Sequence, residues 1–497
     1  MKKIFYYRDF GAKGDGVTND FEAIRLTHEA ANAEGADVEA TPGATYYIGC
    51  TYTSAVIRTN VDWKDAIFYI DDTVVRWNDS KARTTQIFRV VSDKAVQNVP
   101  IPEGMTLTKG QANIGLTFDE PCMLYIENDH DRIYKRYGEN ANGGVPRKEI
   151  ILVDEKGNVD PTTPIQYDYD AVTCLRAYST TDTPITIRGG HIKTVTCDPC
   201  TYDPDYKNNY CYYYRGISVE RSNTTLVGIR QTKEGEHEDP AYNYGSRGVP
   251  YAGTFFFKLA CNVTFRDSTV QGHKAYSFFQ DLNGKQVRNE MGSYTINAEH
   301  CIGLTLIGLT QIGDITDRAQ YHGIMGSNFC RNTLLDGCYM DRFDSHQGMH
   351  NAVIRNCTLG FGILPIGGGD LIIENVTRLW GGEFITLRYD YNSVFDGDVY
   401  ITSCTAEEPI QTLIGGNWIP VYNGLPNYTV RRVYINGLTL KHDGPVSVFR
   451  IRNATKEALS HEENPYLLPE SITMQNVQGE LIVSDQDVYD TVPVTCS

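Results

Sequence analysis

The residues best able to do chemistry lie in one short stretch, YMDRFDSHQGMH, from Tyr339 to His350. Asp341, Arg342, Asp344, His346 and His350 fall within ten residues of one another there. A carboxylate beside an imidazole orients the ring and fixes its tautomer. It is also expected to raise the imidazole pKa, which suits a general acid or base near neutral pH. A lone histidine in a turn reads as a locally packed polar residue. One flanked by two carboxylates, an arginine and a second histidine reads as a site. Asp344 and His346 are therefore the leading catalytic candidates, with Arg342 and His350 as binding neighbours.

What must position them is a repeat. Leu335-Asp336-Gly337-Cys338, Ile354-Arg355-Asn356-Cys357 and Ile373-Glu374-Asn375-Val376 follow one another at 19-residue spacing. The same signature starts at Ile187, Leu226, Phe265 and Leu306 upstream, and at Ile401, Ile435 and Met474 downstream. Period-2 apolarity over four or five residues is a half-buried strand. A 19-residue repeat leaves no room for a crossover helix, so successive strands should stack as coils, with insertions looping out of the turns. The third signature position holds only Gly, Asn, Asp or Ser, types suited to a left-handed or tight turn. The fourth holds Ser268, Cys338, Cys357, Val376 and Cys404, small enough to point inward. The expected fold is all-β: a right-handed, single-stranded parallel β-helix with a short N-terminal capping helix.

In such a solenoid an active site is a strip of side chains supplied by successive coils. Candidates should recur at similar offsets from the signature. Asp317 follows Leu306 by 11 residues, as His346 follows Leu335, and Glu383 follows Ile373 by 10. His322 and Arg388 come at offsets of 16 and 15. Asp317, Glu383 and His322 join the catalytic candidates on this ground and Arg388 the substrate-binding ones; Arg378, as a cation able to neutralise a uronate carboxylate, and Tyr321 are further substrate-binding candidates.

Composition narrows the class. The 497 residues carry 45 Lys plus Arg against 62 Asp plus Glu, a formal charge of −17, which argues against nucleic acid as a partner. A local arginine cluster can still override net charge and hold an acidic polysaccharide. No window approaches the roughly 18 apolar residues of a membrane span. MKKIFYYRD leads into no apolar run, so no signal peptide is visible, and the expected location is the cytoplasm or a phage virion. Thirteen cysteines without an export signal favour reduced, buried thiols. Cys197-Asp-Pro-Cys200, with Cys211 nearby, is a weak metal or redox signal without a second pair. The expected layout is a cap over residues 1–50, the coil over 51–480 and a tail over 481–497. Side loops are expected at about 119–170, 198–212 and 233–250.

DFGAKGDGVTND, the amphipathic stretch Phe21 to Glu34 that follows, TPGATYYIG and DAIFYIDD together resemble the N-terminal signature of the pectate lyase superfamily. That group includes phage tailspikes, polysaccharide lyases, glycoside hydrolases and mannuronan C-5-epimerases. The helix, through Phe21, Ile24, Leu26 and its alanines, is expected to cover the open end of the first coil. FDSHQ resembles the FDPHE phrase of the epimerases, which carries an Asp and a His onto Asp344 and His346. Ser345 and Gln347 depart from that phrase, and Asp341 stands where the epimerase tyrosine would be. The resemblance implies a carbohydrate-active enzyme cleaving glycosidic bonds of a poly- or oligosaccharide. Its alternatives are a tailspike binding and depolymerising a cell-surface glycan, or a uronate lyase or epimerase. Three acids and no tyrosine at 341 favour hydrolysis, which needs two carboxyl groups. A homotrimer is expected, with no membrane partner and no cofactor, although a calcium ion would be compatible.

Overall fold

The structure, a computed structural model, describes residues 2–76, 78–138, 141–196, 212–235, 251–273, 278–280, 286–288, 294–317 and 323–497. Tyr321, His322, Cys197, Cys200 and Cys211 lie outside the described residues.

The apolar signature column is the spine of the molecule. Ile187 pairs with Leu226, Leu226 with Phe265, and Phe265 with Leu306. Leu306 then pairs with Leu335, Ile354, Ile373, Ile401, Ile435 and Met474 in succession, always in parallel. All ten side chains are buried. Each fully buried aliphatic of this kind contributes about 1.5–3 kcal/mol of transfer free energy. Thirty strands join in this way into one sheet winding through the coils.

The turn column is equally regular. Gly189, Gly228, Asp267, Gly308, Gly337, Asn356, Asn375, Ser403, Gly437 and Asn476 all adopt left-handed φ, between 50° and 78°. Side-chain amides knit neighbouring turns. Asn375 Nδ2 donates to Asn356 Oδ1 and Asn356 Nδ2 to Asp336 Oδ1, both at 2.9 Å. Cys338 and Cys357 are adjacent in the core: the Cys338 N–H points at Cys357 Sγ, 3.4 Å away, and both thiols are free.

The helix Phe21–Glu34 buries Phe21, Ile24, Thr27, His28 and Ala31. Leu26, two residues from Ile24, falls on the solvent side and is exposed, against expectation. Residues 119–170, expected as a loop, contain two strands: Cys122–Ile133 pairs antiparallel with Val145–Val153 and with Cys174–Ser179 just beyond. Arg331 ties this side sheet to the coil through a buried ion pair with Glu149 and a 2.7 Å bond to the Pro164 carbonyl. Residues 481–497, expected as a tail, carry two more coil strands, Leu481–Ser484 and Val494–Cys496. No helix among the described residues is long and apolar enough to cross a membrane.

Replacing Asn356 with Ala removes two amide bonds and places a Cβ-bearing residue without a compensating side chain at φ 55°. A loss of about 1–2 kcal/mol of stability is expected, read as a lowered denaturation midpoint.

Candidate functional site

The strand Tyr339–Gln347 positions the candidates by its own period. Met340 and Phe343 are buried in the core. Side chains alternate across a strand, so Arg342, Asp344 and His346 project together from the other face. The register shifts between Met340 and Arg342, and this irregularity takes Asp341 out of the alternation. Asp341 is fully buried and braces the strand: Gln311 Nε2 donates to its carboxyl at 3.2 Å and the Ile324 N–H at 3.0 Å. Burial pushes its carboxyl above the usual carboxylate range.

Asp344 is the hub, with 0 % of its side chain exposed. Arg342 Nη2 lies 3.0 Å and His346 Nε2 3.4 Å from its Oδ2. Arg388, from the next face, places Nη1 at 3.4 and 3.3 Å from the two carboxylate oxygens. Arg388 also holds Asp390, its Nη2 3.0 Å away, and Asp390 in turn takes Arg136, from the connection between Cys122–Ile133 and Val145–Val153, at 2.6 Å.

Tyr294 completes the cluster, and the sequence reading missed it. Its hydroxyl lies 2.6 Å from His346 Nε2, 3.5 Å from Asp344 Oδ2 and 3.2 Å from Arg342 Nη2. Tyr294 reaches the cluster from 52 residues before His346. Its ring lies against Gly326, where a Cβ would come within 3.0 Å of it. A glycine inside a strand marks close approach by another group, and Gly326 in Met325–Asn328 is the signal that could have pointed to a neighbour.

The electrostatics follow from burial and three guanidinium groups. Burial opposes ionisation of Asp344, but His346, protonated in the acid range where the carboxyl would titrate, together with Arg342 and Arg388, outweighs it and holds that carboxyl well below the usual range. Burial pushes the Tyr294 phenol up, and the Asp344 charge adds to this. For His346 the expectation from sequence is reversed. Burial lowers its imidazole pKa, the arginines add to that, and Asp344 only partly opposes them. The site at neutral pH is therefore a carboxylate, a neutral imidazole and a protonated phenol.

The remaining candidates are dispersed. Glu383 is half-buried, with Tyr389 Oη donating to it at 2.7 Å. Arg378 is buried and donates to the carbonyls of Gly360, Trp380 and Glu383, so it braces the turn before Glu383 instead of facing a ligand. His350 follows the turn at Gly348 and stands apart from the cluster; burial, with Arg331 and Lys109, pushes it down to about 3. Asp317 lies half-buried in the turn over residues 314–317, whose Ile315 carbonyl packs on Gly360 beside Asp341. Among the described residues no group of three or more His, Cys, Asp or Glu side chains could hold a metal ion.

No protein-family model and no curated protein matches the chain. Solved structures do. The tailspike protein gp49 from Pseudomonas phage LKA1 superposes with a TM-score of 0.55, covering 98% of this chain and 84% of that one at 12% identity. The tailspike gp61 of Pseudomonas phage phi297 gives 0.54, covering 99% and 84% at 10% identity. The fold is that of the tailspike β-helices. At such identities the likeness is one of architecture, and the Tyr294–His346–Asp344 cluster stands on its own geometry.

His346→Ala and Tyr294→Phe should each lower turnover of a degraded glycan by about two to four orders of magnitude, the range for losing a general acid or base. Because the imidazole pKa is lowered from 6.5, its neutral form persists to more acid pH. Activity measured as kcat/KM should therefore rise along an acid limb below pH 6.5 and stay level through neutrality. A limb above that value would contradict a neutral base.

Proposed function

We propose that this chain is a phage tail appendage that binds a cell-surface polysaccharide and cleaves it at the Tyr294–His346 pair, by β-elimination beside a uronic acid. The observation that carries this reading is the state of Asp344. Its carboxylate is sealed from solvent and occupied by Arg342, Arg388 and His346, so it is not free to protonate or attack a glycoside. The groups that reach the surface are His346, 20 % exposed, Arg388, 17 % exposed, and the edge of Tyr294.

Elimination needs a base for the proton α to the uronate carboxyl, positive charge for the developing enolate, and an acid for the leaving oxygen. Neutral His346 takes the proton. The three guanidiniums of Arg342, Arg388 and Arg136, set against the two carboxylates of Asp344 and Asp390, leave net positive charge for the enolate. The bond from the sugar carbon to the glycosidic oxygen breaks as the double bond forms, and Tyr294 gives its proton to the departing oxygen. The proton on His346 then crosses the 2.6 Å contact to Tyr294 and restores both groups. Reprotonation without bond cleavage would make the same pair an epimerase.

A second reading, hydrolysis, is favoured by Glu383. Its carboxyl is partly exposed and fixed by Tyr389, whose ring lies under Arg452 at 4.7 Å. A hydrolase would pair it with another carboxyl, such as Asp317, about 5–5.5 Å away for retention or 6.5–9.5 Å for inversion. The right-handed sense of the coil and a homotrimer with its axis along the coils belong to the same proposal.

Fragments from an anionic capsular polysaccharide should carry the ultraviolet absorbance of an unsaturated uronate. Fragments without it would move the chemistry to Glu383. Sedimentation should give three times the 55.8 kDa chain mass. A monomer at micromolar concentration would exclude the trimer.

A further inference from the structure

A groove of about 940 Å³ lies away from the cluster, toward the N-terminal end of the coil. Its floor is the outer face of Ala55–Ile57, Phe88–Val91, Ile217–Glu220 and Phe255–Cys261. Register places Val56, Arg89, Ser218 and Phe256 in one column, while Ile57, Val90, Val219 and Phe257 fill the core behind them. The column continues from Phe256 to Asn297 and from Asn297 to Gly326, where the ring of Tyr294 packs. Groove and cluster therefore share one face of the coil. Four strand spacings separate the Ser218 strand from the His346 strand, about 19 Å.

The lining is cationic in an acidic chain. Arg58, Arg89, Lys94, Arg221 and Lys258 face Asp182 and Glu220. Arg58 is paired with the exposed Asp93 at 3.3 Å, and Lys258 lies at the edge of ion-pair range, 3.8 Å from the half-buried Glu299. Such pairs contribute little and can be exchanged for a ligand carboxylate. Two buried donors also lack acceptors. Arg221 is 3 % and Gln86 8 % exposed, and Arg221 Nε and Gln86 Nε2 have no partner among the described residues. Both side chains line the groove, with the rings of Tyr214 and Phe256 beside them. A buried donor without an acceptor is costly unless a ligand supplies one.

We propose that this groove is an accessory binding site for an anionic oligosaccharide segment, the distal part of the chain that is cut at Tyr294–His346. Carboxylates of the segment meet Arg58 and Lys258, sugar hydroxyls meet Arg221 Nε and Gln86 Nε2, and sugar faces meet Tyr214 and Phe256. The continuity with the cutting site rests on the cleavage reading above; binding in the groove does not.

The test uses the full-length His346→Ala protein, so that nothing is cut, titrated calorimetrically with hexamers of galacturonate, mannuronate and hyaluronan. Saturable binding of at least one is expected, with none for the neutral maltohexaose. Adding Arg58→Ala and Lys258→Ala should weaken binding by about tenfold, the scale of a lost charge-assisted contact, at unchanged melting temperature. Arg221→Met should weaken it further; if that variant fails to fold, the exposed pair decides alone. No binding by any acidic hexamer, or equal binding by the Arg58/Lys258 variant, overturns the proposal. So does a change in oligomer mass caused by that variant, which would make the groove a contact between copies. If His346→Ala binds but the parent cuts nothing, the groove stands and the cleavage reading falls.

Discussion

Everything in this molecule depends on register. The buried column from Ile187 to Met474 and the left-handed turn two residues after each of its members lock each coil to the next. Either device alone would leave room for slippage. Together they do not, because a shift of one residue moves every side chain to the opposite face of the sheet. At the strand Tyr339–Gln347 such a slip would drive Arg342, Asp344 and His346 into the core and turn Phe343 outward. The cost of burying three ionisable groups against aliphatic coils far exceeds any gain, so the stack that stabilises the protein also fixes the aim of its site.

Within the site the governing constraint is one buried charge. A carboxylate sealed from water persists only if it is paired and hydrogen-bonded, and Asp344 collects its partners from several places in the chain. Arg342 comes from its own strand, Arg388 from the adjoining face, Tyr294 from an earlier coil. Removing either arginine would leave charge uncompensated, so these residues hold one another in place. Under the elimination proposed for this site, Asp344 positions and does not react. Burial lowers the His346 imidazole pKa first, and the same arginines that keep Asp344 ionised add to it.

What the sequence revealed and what it hid divide along this line. The coil was legible because its period and its turn chemistry are local: four residues suffice to see Ile354-Arg355-Asn356-Cys357. Asp344, His346 and Arg342 were legible because one strand presents them at alternate positions. Tyr294 and Arg136 were not, since they reach the cluster only through stacking and through a connection of the antiparallel side sheet. Arg378 and His350 show the limit of residue type and nearness in sequence, which do not say the side to which a residue points. The direction of the His346 shift was misjudged for a related reason: the neighbouring carboxylate is visible in sequence, and two arginines with their burial are not.

The acidic composition and the cationic groove are compatible once distance is considered. The charge of −17 is spread over all 497 residues. At physiological ionic strength exposed charges are screened beyond about 8 Å. A bound chain segment therefore feels the groups lining its own path far more than the sum. Along the face that runs from Arg89 past Phe256 to His346 the arginines and lysines are interleaved with Glu220, Glu299 and Asp344, so under the proposed function an anionic glycan would be drawn by the cations with the weakest pairs, Arg58 and Lys258. Under the proposed function, the acidic remainder would discourage an anionic polymer from settling elsewhere on the surface and leave the Tyr294–His346 face as its seat.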